Sequence, residues 1–99
     1  MKTILITGAT SGIGLAAAKK LANSKNNLIL CGRRQHKLDE ISNELSKITN
    51  VLSLRFDVSD KKEVNKVLEN IPEEFRSIDI LINNAGKTSY NRRRNFHVR

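Results

Sequence analysis

The chain has 99 residues, of which 38% are hydrophobic, with a formal net charge of +8 and one cysteine. That length admits one small domain, no apolar run approaches the ~18 residues that span a bilayer, and the lone Cys31 excludes an internal disulfide. The positive charge argues only weakly for a nucleic-acid partner, because most of the excess sits in the last thirteen residues.

Residues 2–7 carry Ile4, Leu5 and Ile6 and read as a buried strand. Gly8, Gly12 and Gly14 follow within seven residues, and residues 12–23 then read as a helix. Ile13, Ala16, Ala17, Leu21 and Ala22 are expected to form its face toward a sheet. Residues 23–27 are polar and read as a loop. Leu28, Ile29, Leu30 and Cys31 are apolar throughout, as in a parallel strand covered on both faces. This placement predicts a buried, unreactive thiol.

Residues 33–48 read as a second helix, with Leu38, Ile41, Leu45 and Ile48 spaced along one face. Residues 51–56 form a third strand, apolar at 52, 54 and 56. Ser59 or Asp60 starts a third helix, and Glu63 lies three residues beyond Asp60, the spacing of a capping box. Val64, Val67, Leu68 and Ile71 form its buried stripe, Pro72 ends it, and Glu73-Glu74-Phe75 adds a turn. Residues 78–82 are a fourth strand, followed by Asn83-Asn84-Ala85-Gly86.

Strands alternating with helices imply an α/β fold with a parallel sheet. Right-handed crossovers give the strand order 3-2-1-4 with three helices, which is part of a Rossmann sheet without its C-terminal half. The glycine loop, Arg33-Arg34, Asp57-Val58 and Asn83 to Gly86 then all lie at the carboxyl ends of strands, where ligands bind in such folds.

The chemistry of those segments points to a dinucleotide. Gly8 permits the sharp turn out of the strand, and Gly12 lets a phosphate approach the backbone without meeting a Cβ. Gly14 allows the helix to lie close to the sheet, and the N-terminus of that helix faces the pyrophosphate. A ribose-binding carboxylate is expected about 20 residues on for NAD. Here the second strand ends Cys31-Gly32-Arg33-Arg34, with no acid. Two guanidinium groups suit a 2′-phosphate, so NADP is the expected cofactor, with Arg33 the principal contact and Arg34 its support. Asp57 is placed to accept a hydrogen bond from the adenine amino group, and Val58 to donate from its backbone.

The glycine spacing, Gly8-Ala9-Thr10-Ser11-Gly12-Ile13-Gly14, together with Asn83-Asn84-Ala85-Gly86, resembles the short-chain dehydrogenase/reductase family. The resemblance covers residues 2–86. It implies cofactor contacts at Gly8, Thr10, Ser11, Gly12, Ile13, Gly14, Arg33, Arg34, Asp57, Val58, Asn84, Ala85 and Gly86. It also implies that Asn83 stabilises the central sheet. Gly32-Arg33-Arg34 and Ile71-Pro72-Glu73-Glu74-Phe75 are similar to the branch of NADP-dependent 3-hydroxy acid dehydrogenases, including serine and allo-threonine dehydrogenases. That similarity implies a small hydroxy or keto substrate for a full-length parent.

The family's catalytic Ser and Tyr-x-x-x-Lys lie well downstream of such an Asn-Asn-Ala-Gly segment, and no counterpart is present here. Tyr90 is followed by Arg94 rather than lysine, and arginine does not substitute for it. No catalytic residue is assigned, and the chain is expected to be truncated and inactive. Residues 1–86 are expected to be the NADP-binding unit and residues 87–99 a basic, disordered tail holding Lys87, Arg92, Arg93, Arg94 and Arg99. His36 and His97 have no metal partner at usable spacing. The fourth strand is expected to be an exposed apolar edge and an aggregation liability. The alternative is a non-catalytic nucleotide-binding or regulatory module, as a homo-oligomer or paired with an intact homologue. One cysteine and no long apolar segment suggest a cytoplasmic protein without a membrane partner.

Overall fold

The computed structural model describes residues 2–10, 12–57 and 60–83. The elements run β1 (Lys2–Thr7), α1 (Gly12–Leu21), β2 (Asn26–Gly32), α2 (Gln35–Leu45), β3 (Val51–Arg55), α3 (Lys61–Glu69), a 3₁₀ turn (Glu73–Phe75) and β4 (Ile80–Asn83). All strand pairings are parallel and the order is β3-β2-β1-β4, so fold class and topology follow the sequence pattern. Ser11, Val58, Asn84, Ala85, Gly86 and the tail at 87–99 lie outside the described residues.

The sheet separates two apolar layers, and strand alternation sorts the side chains between them. Ile4, Ile6, Leu28 and Leu30 pack with Ala18, Leu38, Ile41 and Leu45. Leu5, Ile29 and Cys31 pack on the opposite side with Phe56, Val64, Ile71, Phe75 and Ile78. Two-sided cover explains why β1 and β2 are nearly continuous apolar runs. Burying a leucine or isoleucine stabilises by about 1.5–3 kcal/mol, so the two central strands dominate the fold's stability.

Local polar bonds fix the strand ends. The Thr3 N–H donates to Asp79 Oδ2 at 2.9 Å, and the Asp79 N–H donates to the Thr3 carbonyl at 2.9 Å. The Thr7 hydroxyl donates to Asn83 Oδ1 at 3.0 Å. Asn83 therefore ties β4 to the central β1, the role the resemblance implied for it. Strand β4 is the edge of the sheet among the described residues, and Ile80 on it is 37% exposed.

Four expectations need correction. Helix α1 turns Gly14 and Ala18 to the sheet, with Leu15, Ala17, Leu21 and Ala22 beside them, whereas Ala16 is exposed and Ile13 is 75% exposed. Gly14 and Ala18, four residues apart, set the buried line of the helix, and Ile13, one position before Gly14, is turned outward. Helix α2 begins at Gln35 rather than 33, because Arg34 keeps an extended conformation at φ −100°, ψ 103°. It ends at Leu45, since the Ile48 and Thr49 N–H groups both turn back to the Leu45 carbonyl, and Ile48 leaves the buried stripe. The fourth strand starts at Ile80, with Asp79 spent on its bonds to Thr3.

Candidate functional site

The parallel order brings the carboxyl ends of β1, β2 and β3 to one edge, and the segments singled out above leave the sheet there. Gly8 and Gly12 have φ of +62° and +58°, a left-handed conformation that other residues adopt only at a cost. A Cβ built on Gly12 meets nothing within 4 Å. The space over that backbone is open, as a phosphate-binding turn requires. Helix α1 starts at Gly12, so its first unpaired N–H groups lie at this turn.

The loop is held down from the neighbouring strand. The Ala9 N–H donates to the Cys31 carbonyl at 3.0 Å, and both residues are fully buried. Thr10 is only 8% exposed. A Cβ added to Gly32 would stand 2.9 Å from Thr10 Cγ2 and 3.5 Å from Leu38 Cδ2. Gly32 is thus a place where backbone and loop approach closely, a reason the sequence reading did not supply. Its absent side chain is the space the Thr10 methyl uses.

Arg33 and Arg34 are both exposed, between β2 and α2. Arg34 Nη2 lies 3.5 Å from the Thr10 hydroxyl, which links the basic pair directly to the glycine loop. The Arg33 carbonyl accepts a bond from Arg55 Nε at 3.1 Å. Neither Arg33 nor Arg34 pairs with a carboxylate among the described residues. Arg55 was missed by sequence reasoning, because only the parallel register, which sets Gly32 beside Arg55, brings it here.

Asp57 follows β3 at the same edge and is half-buried. Its N–H donates to Glu63 Oε1 at 3.2 Å. Asp60 is the N-cap of α3 and accepts the Glu63 N–H at 3.2 Å. The capping box is thus modified: Glu63 reaches past the cap residue to Asp57 and fixes the backbone there. Gly14, buried in α1, and the exposed Ile13 complete the described candidates. Cys31 is no part of a reactive site, because complete burial pushes its thiol pKa up. No helix among the described residues is long and apolar enough to cross a membrane.

Several comparisons bear on this arrangement. The sequence model of the short chain dehydrogenase family matches residues 2–98. An NADP-dependent 3-hydroxy acid dehydrogenase of Schizosaccharomyces pombe is 53% identical over 88 residues, covering 86% of this chain and 34% of that protein. Sulfoacetaldehyde reductase 2 of Chromohalobacter salexigens is 48% identical over 83 residues, covering 84% and 33%. The chain therefore spans about a third of the length of these curated relatives. The crystal structure of L-sorbose reductase from Gluconobacter frateurii, complexed with NADPH and L-sorbose, superposes with a TM-score of 0.77 at 37% identity. That match covers 91% of this chain and 35% of the reductase.

Proposed function

Since the chain belongs to the short chain dehydrogenase family, we propose that it binds NADP(H) as the nucleotide-binding part of an oxidoreductase. The reaction is oxidation of a hydroxyl, or reduction of a carbonyl, on a small substrate such as a 3-hydroxy acid. The observation that carries the cofactor choice is Arg33-Arg34, without a carboxylate, at the end of β2 and against Thr10 of the glycine loop. An acid there would repel a 2′-phosphate, whereas a guanidinium binds it through charge-assisted, forked hydrogen bonds. The names of relatives that use NADP, and the NADPH in a similar structure, support the same choice.

The residues present fit the dinucleotide. The open backbone at Gly12 and the N-terminus of α1 would receive the pyrophosphate, with Gly8, Thr10, Ile13 and Gly14 about them; the resemblance adds Ser11, which lies outside the described residues. Arg33 and Arg34 take the 2′-phosphate. Asp57, its backbone held by Glu63, and Val58 take the adenine. The resemblance assigns Asn84, Ala85 and Gly86, which lie outside the described residues, to the same cofactor. When bound, the nicotinamide supplies the hydride acceptor or donor. This chain's own part is binding and orientation, and none of its 99 residues is assigned to proton transfer.

Residues 1–86 form the binding unit in this proposal and residues 87–99 a separate basic tail. The site of action is the cytoplasm, where a thiol such as Cys31 stays reduced. The test is calorimetric titration of the chain with NADPH and NADH. NADPH is expected to bind at least about tenfold more tightly, and Arg33→Ala to remove most of that preference. Equal affinity for the two nucleotides would refute the NADP reading, and hydride transfer by the chain alone would refute the division of labour.

A further inference from the structure

Strand β3 ends at Arg55, which the parallel register sets beside Gly32, one residue before the Arg33-Arg34 pair. Alternation along β3 decides which way this side chain leaves the sheet. Leu52 and Leu54 pack with the α3 layer, whereas Val51 packs with the α1 and α2 layer. Arg55 has the parity of Val51 and emerges on the side from which α2 starts. There its Nε donates to the Arg33 carbonyl at 3.1 Å, while the Phe56 N–H donates to the Gly32 carbonyl at 3.0 Å. The peptide carrying the basic pair is therefore gripped from β3 by two consecutive residues.

This register brings three arginine residues to one corner of the sheet. Arg33, Arg34 and Arg55 are all exposed, and none pairs with a carboxylate among the described residues. Like charges so placed repel unless an anion joins them. With Nε bonded to the Arg33 carbonyl, the two terminal nitrogens of Arg55 are left as further donors. We infer that Arg55 is a specificity-determining residue of the nucleotide site: it fixes the Arg33 peptide and adds a third cation to the pocket for the 2′-phosphate. This rests on the NADP reading above and extends it to a residue from a different strand.

The probes are 2′,5′-ADP and 5′-AMP, which differ by the phosphate in question, titrated into the full chain at fixed ionic strength. The wild-type chain should favour 2′,5′-ADP by about tenfold or more. Arg55→Gln keeps a donor for the Arg33 carbonyl but removes the charge. It should lower that ratio by about threefold to tenfold while 5′-AMP binding changes little. Arg55→Lys restores the charge without the Nε bond or the fork, so its ratio should lie between those of Arg55→Gln and the wild type. A full ratio in Arg55→Gln overturns the role of Arg55 alone, as does an equal loss for both ligands or a lysine ratio no higher than that of glutamine. A wild-type chain that does not discriminate overturns the NADP reading itself, and this inference with it. Far-ultraviolet circular dichroism confirms that each variant is folded before its ratio is read.

Discussion

Replacing Gly32 by alanine tests the link between the glycine loop and the end of β2. Gly32 has no left-handed backbone requirement, so the penalty is steric alone. The new Cβ would lie 2.9 Å from Thr10 Cγ2, at least about half an ångström inside ordinary carbon–carbon contact. Thr10 is buried, and the loop beside it is pinned by the Ala9 to Cys31 bond, so it yields only by rotating its side chain or lifting the turn. Rotation withdraws the hydroxyl from Arg34. Overpacking of this kind costs about 1–3 kcal/mol. Loss of glycine's freedom in the unfolded chain offsets about 0.4–1 kcal/mol of that. The expected net loss is about 1–2 kcal/mol in urea unfolding followed by circular dichroism, with weaker binding of 2′,5′-ADP. The partner substitution Thr10→Ser removes the clashing methyl and keeps the hydroxyl. In the double variant the alanine methyl occupies the vacated space, so a double-mutant cycle should give a favourable coupling of about 1 kcal/mol. A Gly32→Ala chain as stable as wild type, or a cycle with no coupling, would show that Thr10 and Gly32 are not in the contact described.

Two further outcomes are expected. Gly12→Ala meets no neighbour, so its cost is conformational, about 1–2 kcal/mol from the left-handed backbone, and Gly12→Asn should cost less in the same unfolding assay. The Cys31 thiol is held protonated by burial in the folded chain. With the folded pKa above the unfolded one, the native state retains the proton longer, so this thiol's contribution to stability is constant below about pH 8.5 and is lost as pH rises beyond it. Native chain should resist iodoacetamide at about pH 8 and react fully in urea, and a thiol that is modified quickly without denaturant would contradict its burial.

The chain's own order of residues determined the α/β class and strand sequence, because apolar runs too short for helices alternate with segments of helical period. It also marks the segments at which the proposal places a dinucleotide. Glycines at Gly8 and Gly12 mark backbone that other residues adopt with difficulty, and Arg33-Arg34 announces its anion by charge. Helix faces were less legible. Ile13 and Ala16 fit the apolar stripe of α1 as well as Ala18 does, and only the burial of Gly14 and Ala18 in the folded chain chose between them. Ile48 continued the stripe of α2 in sequence after its backbone had already turned away at Leu45. Tertiary structure alone decided the rest of the site. Thr10 meets Gly32 and Arg34 across 22 and 24 positions, and Arg55 reaches Arg33 across 22. Such contacts depend on strand register and on which face a side chain leaves. A linear pattern fixes the faces only after the strands have found their partners.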